Sequence, residues 1–498
     1  MTKTLADRAR VLALPVALLA VASAGCKDYL TETPRATIVT ETFFRTPNDA
    51  RAAIAGAYQP LSVAAIWGNN LQWGLIATTD EARIGPEEEN ANILVLTQLR
   101  WTPTNPYVAG TNSGNGAWAS LYQPITRANL VLEKVPPITM NEAEKAQILG
   151  EAKFLRALSY FYLVRLYGDV PLVTTTEQQL ASAAGPRTPQ AEVFAQIIKD
   201  AEEAEAALPV TWPSADKGRA PKAAAQALLA DVYLWQKDWA NAAANAKKVV
   251  DAGTYSLVPN YIDAFLPGSQ NRSEEIFAAQ STATVGGPAI DIAQWTYPRA
   301  MGPLTAGGWG TYQPLQWFID SYPAGDYRRE VSFFTRGRAE NGRDTTFLPH
   351  VYKYRPTQRQ GGRQDVNWPI YRYADVLLIY AEALNEQGRT AEAMGIVNQI
   401  RARARNGTGA ENRTQPANLP ASLNIADARE AIFQERMWEL AFEGDRWFDM
   451  VRRGWDYFRT ALERDPTATD VDETDMLWPV PQVQIDLNPQ LTQNPGYQ

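Results

Sequence analysis

ALLADVYLWQKDWANAA, residues 227–243, holds a helix, a short polar turn and the small-residue opening of a second helix. The same order returns in VLLIYAEALNEQGRTAEA, residues 376–393. There Leu378, Ile379, Leu384 and Ala393 answer Leu228, Leu229, Leu234 and Ala243 at a constant offset. Small residues at the head of the second helix let two antiparallel helices approach closely, so both stretches predict helix pairs.

The habit extends outward from these two copies. DARAAIAGAYQPL (49–61) puts Ala50, Ile54, Ala57, Tyr58 and Leu61 on one face, and Thr46-Pro47-Asn48-Asp49 is a start signal for that helix. The stretches at 120–135, 141–168, 190–208 and 427–444 show the same three-to-four spacing, with Gly168 and Gly253 as stop signals. Asp427 and Glu430 read as a capping box. The expected fold is mainly α, with tetratricopeptide-like helix pairs packed against a loop-rich, irregular half. Such a scaffold declares no chemistry of its own.

Residues 62–117 and 267–370 have another character, rich in Gly, Pro, Asn, Trp and Tyr, as in IWGNNLQWG, RWTPTNPYVAGTNSGNG and GGWGTYQPLQWF. Long irregular segments in a folded chain are commonly functional or disordered, and this density of large aromatics argues against disorder. Function is expected in these loops.

Composition narrows the chemistry. Across 498 residues the formal net charge is -8, which lacks the basic surplus that neutralises phosphates, so nucleic acid is not expected as a partner. One histidine, His350, and one cysteine, Cys26, cannot supply a zinc or haem cluster or an internal disulfide. No P-loop, HExxH, GxSxG or CxxC motif is present. No cofactor and no metal are expected.

The cysteine has its own explanation. Lys3, Arg8 and Arg10 precede the apolar run VLALPVALLAVA, the pattern of a secretory signal and too short to span a bilayer. Ser23, Ala24 and Gly25 lead to Cys26 in the manner of a bacterial lipobox, with Ser23 where Leu is usual. Cleavage there and acylation of Cys26 would tether the chain to a membrane by lipid alone.

Several stretches, taken in order, resemble the SusD/RagB family of outer-membrane nutrient-binding lipoproteins. They run from CKDYL and TFFRTPNDARAAIAGAYQPL through EAKFLRALSYFYLVRLYGDVPLV and IYRYADVLLIYAEALNEQG to ERMWELAFEGDRWFDMVRRG and LWPVPQVQIDLNPQLTQNPGY. The resemblance implies a signal peptide at 1–25, a lipid-anchored tether at 26–46, an N-terminal part at 47–266 and a C-terminal part at 267–498 with a ligand insert. It also implies a place on the outer face of the outer membrane. There the protein would act as a lid on a SusC-like TonB-dependent transporter, holding oligosaccharide or peptide above the pore.

Sugar rings need aromatic planes to stack on and polar side chains at the margin. Asp80 and Arg83 in TTDEARIG, and Trp101, Asn105 and Tyr107 in RWTPTNPY, fall where the resemblance places part of a ligand cradle. The later insert offers Trp295, Tyr297, Trp309 and Tyr312. Two other readings stay open: a surface glycoside hydrolase using a carboxylate pair such as Asp80 and Glu81, and an envelope scaffold that binds no ligand. In FEGDRWFDMVRRG (442–454) the alternating acids and arginines are expected to pair along their own helical turn, as are Glu151 and Arg156 in α-helical EAKFLRALSYFYL.

Overall fold

Thr46 and Asp49 start the first helix reciprocally. The Thr46 side chain accepts from the Asp49 amide, the Asp49 carboxylate accepts from the Thr46 amide, and Pro47 stands where no amide donor is needed. This is α1, Pro47–Tyr58. The computed structural model describes residues 43–497 apart from 63, 69, 110–115, 179–184, 285–289, 300–307, 340, 361 and 408–412. The signal sequence, Cys26 and the tether as far as residue 42 lie outside the described residues.

The longer helices that follow are α2 (Ala117–Lys134), α3 (Glu142–Tyr167), α4 (Gln190–Ala207), α5 (Lys222–Trp235), α6 (Trp239–Asp251), α7 (Tyr373–Glu386), α8 (Thr390–Ala404), α9 (Ile425–Glu439), α10 (Asp445–Arg452) and α11 (Trp455–Leu462). Neighbours in sequence pack as pairs: α3 against α2 and α4, α5 against α6, α7 against α8, with α6 laid on α7. The expected helix-pair body is therefore present. From Leu155 to Tyr167 every residue of α3 is buried, and Gly168, at φ 74°, ends the helix.

Two details of the sequence reading shift. The left-handed turn residues of the repeated hairpin are Lys237 (φ 59°) and Gly388 (φ 77°), so the turns match one residue later than the side-chain correspondence, which sets Lys237 against Gln387. And α9 begins at Ile425, capped by Asn424, whose side chain accepts from the Asp427 amide at 2.9 Å; Asp427 is its third residue and not the cap.

Three antiparallel two-stranded sheets complete the body: β1 (Ala82–Ile84) with β3 (Tyr312–Pro314), β2 (Glu275–Ala279) with β6 (Trp368–Arg372), and β4 (Phe333–Arg338) with β5 (Asp344–Val351). The first two join segments far apart in sequence, so the irregular half is laced to the helices rather than appended.

The arginines and acids also pair over long range, which corrects the expectation of local pairs. Arg156 binds Asp200 at 2.7 and 2.8 Å, and Glu151 takes Arg219. Glu439 faces Arg328, Arg372 and Arg403, while Glu443 faces Arg372 and Lys353. All of these in the C-terminal half are buried. Of the arginines in FEGDRWFDMVRRG, only Arg452 pairs inside its own helix, with Asp449 three residues earlier at 2.7 Å. Burial raises the Asp449 carboxyl, but Arg436 and Arg452 outweigh it and hold the group at about 2.

Candidate functional site

Asp291 begins the site. Its carboxylate accepts from the Gln294 amide at 3.1 Å and caps the short helix Ile292–Thr296, while Arg359 grips the same carboxylate at 2.8 Å through two nitrogens. That helix carries Trp295, whose indole N–H donates to the Gly68 carbonyl. A buried indole nitrogen with a partner fixes the ring plane as well as its depth.

Trp295 is one rung of an aromatic ladder running outward from the core. Trp73 meets Tyr107 at 4.9 Å between ring centroids and meets Trp295 at 4.9 Å, and Trp295 meets Trp309 at 5.4 Å, each pair edge to face. Trp73 is fully buried, Trp295 nearly so, and Trp309 is 42% exposed. Among the described residues no other Trp, Tyr or Phe is as open to solvent.

The backbone around Trp309 explains how a large apolar ring is held out in water. Its amide donates to the Gln294 carbonyl at 2.6 Å, and the next amide, Gly310, donates to the Tyr297 carbonyl at 2.8 Å. A Cβ on Gly308 would sit 2.0 Å from the Tyr297 carbonyl oxygen, and Gly310 stands at φ 62° with the Glu87 carboxylate 2.4 Å from where its Cβ would be. Only glycine fits at both places, so the Gly-Trp-Gly strap lies flat on the Trp295 helix and turns the indole outward.

Polar groups border the ring. The Arg299 guanidinium lies 5.8 Å from the Trp309 ring, and the Arg299 amide donates to Glu87 at 2.7 Å. Thr311 donates to Glu88 at 3.2 Å, and Asn90 donates to the Tyr107 hydroxyl at 2.6 Å. His350 is buried 3.7 Å from Glu87, and burial lowers its basicity despite that carboxylate. Thr311, Glu88 and His350 are buried, so the polar margin open to a ligand is Arg299 and Glu87, and a flat exposed ring with these at its margin can hold the C–H face of a sugar.

The nine candidate side chains divide. Trp295, Trp309, Tyr107 and, through its backbone, Tyr297 come together here, with Asn105 close by, where its amide donates to the Asn92 carbonyl at 2.9 Å. Arg83 is half-buried on β1 and donates to Gln313 on β3 at 3.1 and 3.2 Å.

The other three are interior. Trp101 packs on Trp478 at 4.6 Å, Tyr312 is fully buried with its hydroxyl donating to Gln72 at 3.1 Å, and Asp80 is clasped by Arg446 at 2.7 and 2.8 Å. Each answers to the core and not to solvent. Trp73, Glu87, Arg299, Gly308 and Gly310 were not among the expected site residues. The glycines around Trp309 were the available signal, since a Gly on each side of a large aromatic marks a close backbone approach.

Asp80 and Glu81 cannot serve as a hydrolytic pair in this arrangement, because both are buried. Burial, then the neighbouring Asp80 charge, pushes Glu81 up to about 8, against the Phe442 amide and Arg446. The folded chain therefore holds this proton to higher pH than the unfolded chain, whose glutamate titrates near 4.5. Its contribution is complete below about pH 4.5 and is lost as pH rises towards 8, at up to about 1.4 kcal/mol per pH unit. Glu81→Gln should therefore gain stability relative to the wild type between pH 5 and 8, measured as the difference in urea midpoints. A difference that stays constant with pH would contradict the protonated Glu81.

Among the described residues no group of three or more His, Cys, Asp or Glu side chains is arranged to hold a metal ion, and no helix is long and apolar enough to cross a membrane.

Comparison with known proteins identifies the family of the chain. Residues 335–497 match the model of the SusD family, and residues 77–234 match a family described as starch-binding associating with outer membrane. A SusD-like protein of Formosa agariphila is 32% identical over 505 residues, covering 95% of this chain and 97% of the relative. A solved SusD homolog from Bacteroides thetaiotaomicron shares the fold at a TM-score of 0.79 with 24% identity, covering 92% of this chain and 98% of its own. A solved laminarin-binding SusD-like protein has a TM-score of 0.76 and 26% identity, covering 91% of this chain and 100% of its own. With similarity of this degree along nearly the whole length, the chain belongs to the SusD family.

Proposed function

We propose that the protein captures oligosaccharide on the Trp309 face and does so without catalysis. The observation that carries this reading is the ladder from Trp73 through Trp295 to Trp309, which brings one indole to the surface on a rigid strap bordered by Arg299 and Glu87. Stacking on one exposed ring gives a shallow, multi-contact site from which cargo can leave, as a delivery protein requires. The laminarin-binding relative and the starch-binding family description support glycan as the ligand class.

In the same reading Cys26 carries lipid at the outer membrane, the body faces outward, and captured oligosaccharide passes to a SusC-like TonB-dependent transporter. The test is incubation of the protein with laminari- and malto-oligosaccharides, followed by equilibrium binding and chromatography of the recovered sugar. Binding with the sugar recovered intact is expected. Shortened products would support the hydrolase reading, and absence of binding to a broad glycan panel would support the scaffold reading.

A further inference from the structure

The helical half carries a second cleft, of about 190 Å³, on which none of the expected site residues falls. It opens where the connection between α4 and α5 meets the segment after α6 and the approach to β2. One wall is Trp212, whose indole N–H donates to the Ala220 carbonyl at 2.9 Å and whose ring lies 3.8 Å from the Arg219 guanidinium. Arg219 is already balanced, because it pairs with Glu151 and with Asp216. Tyr255 forms part of the lining as well, and burial, with Glu275 adding to it, pushes its phenol up to about 12.

Glu275 also lines the cleft. Its Oε1 accepts from the Asn271 amide and from the Asn367 side chain, each at 3.0 Å, and none of the described residues donates to its Oε2. Desolvation pushes this carboxyl up to about 7, so near neutral pH it can donate as well as accept. Lys217 and Arg272 complete the lining as exposed cations, and among the described residues neither forms an ion pair.

The cleft thus combines half-buried aromatic rings, a carboxyl of which one oxygen has no partner among the described residues, and two cations that likewise have none there. Neutral apolar ligands would leave the cations and Glu275 unanswered, and a bare anion would leave the rings unused. We infer that the cleft binds a sugar ring bearing a carboxylate, a hexuronate residue, with its ring against Tyr255, a hydroxyl on Glu275 and its carboxylate towards Lys217 and Arg272. The site stands apart from the Trp309 face and does not depend on the reading given to that face.

Saturation-transfer NMR with glucuronate, glucose and acetate as separate probes tests it, using the wild type, the double variant Lys217→Gln/Arg272→Gln and Trp309→Ala. Glucuronate should bind in preference to glucose and acetate and weaken about fivefold or more in the double variant. It should bind Trp309→Ala as it binds the wild type. Both substituted side chains are exposed, so the fold should stand, and an unchanged thermal midpoint checks this. Equal binding of glucose or acetate in Trp309→Ala, wild-type binding of glucuronate by the double variant, or loss of glucuronate binding in Trp309→Ala would each overturn the inference.

Discussion

Replacing Arg372 by alanine should cost about 3–5 kcal/mol of stability, read as a fall in the urea midpoint. The side chain is buried and donates in several directions: to Glu274 at 2.8 Å, to Glu439 at 2.7 Å, to Glu443 at 2.6 and 2.9 Å, and to the Glu439 carbonyl at 2.6 Å. Removing it leaves five buried carboxylates, Glu274, Asp326, Glu435, Glu439 and Glu443, facing only the four cations Arg328, Lys353, Arg401 and Arg403. An uncompensated buried charge is the expensive outcome, whatever the intact cluster contributes relative to an apolar core.

Arg372→Lys should recover only part of the loss, because one ammonium cannot reproduce the planar fork that meets three carboxylates. Since Arg372 closes β6 and its partners lie immediately before β2, at the end of α9 and in the turn after α9, the loss should also loosen the β2–β6 pair. A variant with the wild-type midpoint would show that the cluster is not held as described.

Asp80→Ala should be the second large effect, and here two accounts part. If Asp80 bordered a ligand, alanine would lower affinity and leave stability intact. In the structure Asp80 is fully buried, accepts from Arg446 at 2.7 and 2.8 Å and from Arg464 at 2.5 Å, and leaves Arg446 stranded if removed. The expected result is a loss of about 3–5 kcal/mol with glycan affinity unchanged in the protein that remains folded. Asp80→Asn should destabilise less, since its carbonyl still accepts from one guanidinium nitrogen. Reduced affinity with an unchanged urea midpoint would return Asp80 to the ligand site.

These two residues also show what a single sequence can and cannot reveal. Helices declare themselves locally: the face of α1, the start signal at 46–49 and the stop at Gly168 are all short-range patterns, and each stands in the structure. Asp80 and Arg446 lie 366 positions apart, and no periodicity connects them. Acids and arginines on one helix look like partners by spacing, yet Glu439 is answered by Arg328, Arg372 and Arg403 from other elements.

The site was legible to a lesser degree than the helices. Aromatic density marked the segments that hold the Trp73, Tyr107, Trp295 and Trp309 ladder, but a tryptophan in a loop carries no pattern that tells an inward ring from an outward one. Trp101 turns in to Trp478, whereas Trp309 turns out, and what separates them is the strap of Gly308 and Gly310 against Tyr297 and Glu87.

The central claim is that Trp309 is the capture surface, and isothermal titration of laminari- and malto-oligosaccharides into the wild type and Trp309→Ala tests it most directly. The ring is 42% exposed and otherwise packs on Trp295, so its removal should leave the protein folded with only a small fall in the thermal midpoint. The oligosaccharide that binds the wild type should lose at least about tenfold in affinity in the variant. Equal affinity of the two folded proteins would contradict the claim.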